Sequence, residues 1–378
     1  MEDDEAGLAC VEELQLPLPP EMAELVAMAQ DRGLQEAHER WRVGFEAAMV
    51  QQARTLAARG DARSLLAAAM IFPIAYDETT GQPLPAAADE SVGWFEAARH
   101  ARPADPLVAW LEASGCPIFD AARCDSDAGL ARLLQVDGDN ATVQWLAVNA
   151  ALQADDPVAA RTHLRLAAEA TRFEPYGNRL MAMLLEARSA APLPPLDEDA
   201  GRVLGATMPL GRPATNDDVI GMLSMAQWAA YSMPALSAAV QLCGAGQDQP
   251  GLDAALRQDC TASMAKLAGN DSMLIYPSIA LPLLIELASG PERAAWQARL
   301  REHVWLSEQF VGLLTGSRPG VAVVGMETHA QAIADDGEVS AARQVLQRNG
   351  IPLQPLSGWQ PGNPGQRALL APDLQPAG

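Results

Sequence analysis

The chain has 378 residues, a formal charge of −22 and a single lysine, Lys266. A surface this acidic is repelled by phosphate backbones and anionic headgroups, so the charge argues against nucleic acid and membrane and favours a basic protein or peptide as partner. Apolar residues make up 49% and aromatics only 5%; with so much alanine among the apolar residues, the composition points to an all-helical protein.

The first 20 residues are acidic and precede no apolar run of leader type, so they read as an N-terminal segment. Helical periodicity begins near Glu21 in EMAELVAMAQ and resumes in LQEAHERWRVGFEAAMVQQARTLAAR. Gly60 then suits a helix stop and Asp61 a helix start for DARSLLAAAMIF. Tyr76–Ala87 is a loop by its glycine and proline content. From Asp89 to Arg188 short helical segments alternate with the breakers Pro103, Gly115, Gly138 and Pro175.

The segment APLPPLDED, residues 191–199, is a proline-rich linker between a helical region at 21–190 and a second at 200–350. In the second region Met273–Leu287, MLIYPSIALPLLIEL, carries Pro277 and Pro282 and no charge before Glu286, the pattern of a buried, interrupted helix. VAVVG at Val321–Gly325 is too short to argue for a strand. Residues 351–378 read as an irregular tail, with Trp359 placed to pin it onto the body. No apolar run approaches the roughly 18 residues of a membrane span, and a cytoplasmic location is expected.

Signatures of chemistry are few. Phosphate-cradling glycine loops, HExxH and the GxSxG elbow are all missing from the sequence, and His38, His100, His163, His303 and His329 lie far apart, so neither cofactor nor metal is expected. Asp155–Asp156, Asp217–Asp218 and Asp335–Asp336 lack the further acid of a magnesium motif and read as helix-start carboxylates. Five cysteines at irregular spacing, without a CxxC pair, suggest buried thiols, although Cys116 and Cys124 are near enough to meet.

One regularity stands out between Gly81 and Pro175. Phe95, Ala98 and Pro103 end one helix pair; a step of 35 reaches Leu130, Leu133 and Gly138, and a further 34 reaches Leu164, Ala167 and Arg172. Ala160 takes the small position of DDPVAARTHLRLAAEA, Trp110 and Ser114 open the following unit, and HAQAIADDGEVSAARQVLQ repeats the hairpin form near the end. This stride and these positions resemble a degenerate tetratricopeptide (TPR) repeat, in which small residues let paired helices cross and an aromatic fills the gap to the neighbour. The resemblance implies an α-solenoid of stacked antiparallel hairpins, arranged as one array or two sub-arrays, whose concave face binds a protein or peptide. Trp145 and Asn149 fall where such repeats line that face. The leading expectation is thus a non-catalytic binding scaffold. An all-α enzyme assembled from distant residues, and a self-assembling subunit joined through Met273–Leu287 as a homo-oligomer, stay open beside it.

Overall fold

The computed structural model describes residues 31–73, 85–115, 124–208, 210, 212–231, 237–244, 252–314 and 325–371. Among the described residues there are 17 helices and no strand, so the chain is all-α. EMAELVAMAQ and VAVVG lie outside the described residues.

Helix α1 (Arg32–Ala57) stops ahead of Gly60, whose φ of +74° is the left-handed conformation a glycine takes at low cost. Asp61 caps α2 (Ala62–Ile71) by accepting from Ser64 N at 2.9 Å. There follow α3 (Pro85–His100), α4 (Pro106–Ala113), α5 (Ser126–Asp137), α6 (Ala141–Gln153) and α7 (Pro157–Glu169). Helix α3 begins inside the stretch read as loop; proline at a first helical turn has no N–H to lose, so Pro85 starts the helix and does not break it. Neighbours in the chain pack in pairs, α2 on α3, α4 on α5 and α6 on α7, and the pairs touch through α3–α4 and α5–α6. On the stride Phe95, Ala98, Leu133, Leu164 and Ala167 are buried, Leu130, Gly138 and Arg172 are half-buried and Pro103 is exposed; Ala160, at the small position of α7, is buried.

Aspartate starts many of these helices. Asp31, Asp61, Asp105, Asp125, Asp156, Asp197 and Asp253 each accept a backbone N–H of the first turn, and each such cap contributes about 1 kcal/mol. Part of the acidity is therefore structural. Asp335–Asp336 departs from the helix-start reading: the pair ends its helix, and the two carboxylates accept from Gln331 and Gln344 instead. The lone lysine works at the other pole, since Lys266 Nζ donates to Ala167 O at 3.3 Å and to Ala168 O, at the carbonyl end of α7.

The joints of successive pairs are latched to one another. Asn140, wholly buried before α6, donates to Glu174 O at 2.9 Å and accepts from Glu174 N at 3.0 Å, while Ala141 N donates to Arg172 O. Asp137 draws Tyr176 Oη and Arg172 onto the same spot. Farther back, Glu112 of α4, fully buried, pairs with Arg99 of α3 and Arg132 of α5, so one carboxylate bridges three consecutive helices.

Helix α8 (Gly177–Ser189) is the seam of the molecule. Leu180, Met183 and Leu184 face the apolar cluster of α1–α5, and Met181 and Leu185 face the cluster of the later helices. It touches α1, α2, α10 (Asn216–Tyr231) and α15 (Met326–Asp336). Arg188, nearly buried, donates to Ser224 Oγ at 2.9 Å and to Gln227, which reaches Met70 O; burial pulls this guanidinium down to about 10. The 191–197 segment lies on the body: Asn216 Nδ2 donates to Pro194 O at 2.8 Å, and Gly44 leaves room for the Pro194 ring. The core runs across it through Leu193.

The remaining helices are α9 (Glu198–Thr207), α11 (Ser237–Cys243), α12 (Ala254–Ala268), α13 (Ile275–Leu287), α14 (Gly290–Leu314), α16 (Glu338–Arg348) and α17 (Pro364–Leu370). Helix α13 keeps Pro282 in its interior and buries Tyr276, Ala280, Leu281, Leu284 and Ile285, so its apolar surface is used inside the chain. Residues 351–371 of the tail are held on the body. Trp359 meets Trp305 edge-on at 5.2 Å with Arg301 over its ring, and Gln297 of α14 donates to Leu369 O.

The cysteines overturn the reading of buried thiols. Cys243 and Cys260 form a disulfide that ties α11 to α12, and Cys124 is disulfide-bonded as well. Seventeen residues separate the first pair in sequence, with Cα atoms 5.6 Å apart, a proximity that only the folded helices create. No helix among the described residues is long and apolar enough to cross a membrane.

Candidate binding sites

The two residues picked from the repeat are placed differently from each other. Trp145 is 4% exposed and shares an apolar cluster with Ala238 and Cys243 of α11, which packs on α6. Its indole therefore faces core, and its N–H meets no acceptor among the described residues. Asn149, one turn on, is half-buried. Helix α11 packs on α6 at this position.

An open groove runs instead between α7 and α12. Val158, 74% exposed, and Leu256 supply its apolar part, and Arg161, Arg165, Asp253 and Asp259 its charges; its volume is about 360 Å³. Arg161 and Asp253 pair across it at 3.1 Å. Asp259 has no such relief: partial burial, then the nearby Glu169 and Asp253, push its carboxyl above the usual range against the opposing pull of Arg165. A carboxylate crowded by carboxylates is a place where an added cation is stabilised.

A second, more enclosed cleft lies between α13, α14, α16 and the 351–356 segment, with a volume of about 190 Å³. Gly337, behind Asp271 and Val339, sets one side of it. Its φ is +86°, and a Cβ there would lie 2.4 Å from Asp271 O, so only glycine lets the 271–274 loop close on the start of α16. Three bonds then fix the contact: Glu338 N to Ser272 O at 3.0 Å, Val339 N to Asp271 O at 3.0 Å and Leu274 N to Glu338 Oε2 at 2.7 Å. The opposite wall is held by Trp305 Nε1, which donates to Pro352 O at 2.7 Å.

Pro277, Leu281, Leu306 and Val339 lie behind the cleft, each buried, with the His303 ring among them at 8% exposure. Burial pulls His303 down to about 4, so it is neutral at pH 7. Ser278 Oγ lies 2.8 Å from His303 Nε2 and donates its one proton to Leu274 O at 2.9 Å. The contact fixes the orientation of the ring against α13. Sequence reasoning missed this pair, because 25 residues separate its members and no motif marks them.

The rim of the cleft is charged. Arg343 donates to Asp271 at 2.9 Å; Arg299 donates to Ala268 O at 3.0 Å and lies over the Trp296 ring; Glu302 is exposed beside them. Among the described residues no group of His, Cys, Asp and Glu side chains is arranged to hold a metal ion.

No family model, curated protein or solved structure matches the chain.

Proposed function

We propose that the chain is a non-catalytic binding protein, a degenerate TPR-like array of helical hairpins that holds a basic protein or peptide segment. The observation that carries this reading is the α7–α12 groove: apolar at Val158 and Leu256, open to solvent, with Asp253 paired to Arg161 and the Asp259 carboxyl raised by burial and by Glu169 and Asp253 despite Arg165. A segment presenting an aliphatic side chain next to a lysine or arginine would bury the first against Val158 and relieve Asp259 with the second. The chain's charge of −22 would steer such a partner from a distance. Support for the stacked-hairpin reading comes from the joints, where Asn140 and Glu174, 34 residues apart, bond directly.

The disulfides bear on location. Bonded Cys124, Cys243 and Cys260 favour an oxidising compartment over the reducing cytoplasm expected from the sequence.

The test is a panel of synthetic peptides matched in length and differing in charge, titrated at low ionic strength, with hydrogen–deuterium exchange to map the footprint. Saturable binding of basic members with protection of α7 and α12 supports the reading. Protection confined to other helices, or equal binding of acidic members, contradicts it.

A further inference from the structure

The C-terminal tail lies along α14, and it is held there differently from the helices of the body. Of residues 351–371, Pro361 alone is buried, and α17 buries no side chain. The contacts come instead from a row of α14 side chains at 297, 301, 305 and 308, which their spacing places on one face of the helix. Trp305 Nε1 donates to Pro352 O at 2.7 Å, Arg301 to Leu356 O at 3.4 Å and Gln297 Nε2 to Leu369 O at 2.8 Å. Glu308 accepts from Gly362 N at 2.7 Å. Each of these bonds goes to the backbone of the tail. Among its side chains Trp359 reaches the same row, 5.2 Å from the Trp305 ring and with Arg301 5.4 Å over its own.

The composition of the tail suits that mode of holding. Prolines at 352, 355, 361 and 364 make two P-x-x-P steps. A proline has no N–H, so a segment rich in it leaves carbonyls for donors from elsewhere, and its fixed φ lowers the entropy lost on binding. A face that grips carbonyls and one indole ring accepts such a segment from any chain. The tail also follows Gly350 at the end of the chain and buries little, so it can lift away without opening the core.

We propose that this face of α14 is a docking site for proline-rich segments carrying a tryptophan, occupied here by the chain's own tail, and that a partner's segment enters by displacing that tail. The surface is separate from the α7–α12 groove, and its failure leaves the groove reading standing. The experiment uses a dye-labelled, end-blocked peptide of residues 351–366, IPLQPLSGWQPGNPGQ, which carries no charged side chain. Its anisotropy is followed on titration with the full chain and with full-chain Trp359→Ala. The tethered tail competes at an effective concentration on the order of 1 mM, so the parent should bind the peptide weakly. Trp359→Ala loosens the tail and should bind at least about 10-fold more tightly, with exchange protection on α14. Adding Arg301→Gln should cancel most of that gain, and a peptide with its four prolines replaced by alanine should bind at least about 5-fold more weakly. Equal affinity of the parent and Trp359→Ala, no binding to that variant up to about 1 mM, or an alanine peptide that binds as well would overturn the proposal. So would protection centred on α7 and α12. A melting temperature of Trp359→Ala lowered by more than about 5 °C would make the tail integral to the core and would also overturn it.

Discussion

Replacing Asp218 by asparagine should loosen the contact of α10 with α15, and the structure sets the size of the effect. Asp218 is 1% exposed at the start of α10 and accepts from Arg212 Nη1 at 2.7 Å, Arg212 Nη2 at 3.0 Å, Thr215 N at 2.9 Å, Thr215 Oγ1 at 2.8 Å and Met326 N at 3.0 Å. Thr215 and Asp218 form a reciprocal capping box, and the Met326 bond extends it to α15. Burial alone would raise this carboxyl; the Arg212, Thr215 and Met326 donors outweigh it and hold the group at about 2, against an ordinary 3.8. The unfolded chain therefore binds more protons between these values, so the stabilisation is complete above about pH 5 and is lost as pH falls toward 2. The difference corresponds to about 2.5 kcal/mol at pH 7, of which about 1 kcal/mol has gone by pH 3. Urea unfolding of the parent and of Asp218→Asn at both pH values measures it. The variant should be weaker by about 2.5 kcal/mol at pH 7, with a gap about 1 kcal/mol smaller at pH 3. A gap under about 0.5 kcal/mol at pH 7, or one that does not narrow at pH 3, would refute the reasoning.

Further outcomes follow from the same structure. Glu112→Ala leaves Arg99 and Arg132 without their shared carboxylate and should cost about 3 kcal/mol in chemical denaturation; a cost below about 1 kcal/mol would mean the buried pairing is immaterial. Gly337→Ala forces a Cβ against Asp271 O at a φ of +86°, so it should cost about 2 kcal/mol or more and lower the melting temperature. Replacing Cys243 and Cys260 by serine opens a 17-residue link and should cost about 3 kcal/mol, with at least that loss when the parent is reduced, since reduction also opens the bond at Cys124; equal stability of oxidised and reduced parent would contradict the bond's role.

What could be read beforehand was whatever depends on near neighbours in the chain. Asp61 and Gly60 mark a helix start and stop because capping needs only a few residues, and Ala98, Leu133 and Ala167, spaced 35 and 34 apart in the sequence, are all buried. Trp145 shows where that logic ends. Helix α6 is buried at every position from Ala141 to Val148, so no polar stripe tells which face meets solvent, and the covering helix α11 is supplied from a distant part of the chain. The same distance hid the sites. Val158 and Leu256 share a groove, and Ser278 meets His303, only after folding, and no motif marks them; the helix-start reading of Asp218 likewise gave no sign of Met326. The Cys243–Cys260 pair was illegible for a related reason, because the helices that bring its members together are set by the surrounding core and not by their spacing.

The most direct measurement is the dissociation constant of a basic, leucine-containing peptide across a range of salt, for the parent and for a variant carrying Asp253→Asn and Asp259→Asn. Affinity for the parent should fall steeply as salt rises, and the variant should bind about 10-fold more weakly with a shallower dependence. Equal affinity of both proteins, or an affinity indifferent to salt, would contradict the assignment of the α7–α12 groove as the docking surface.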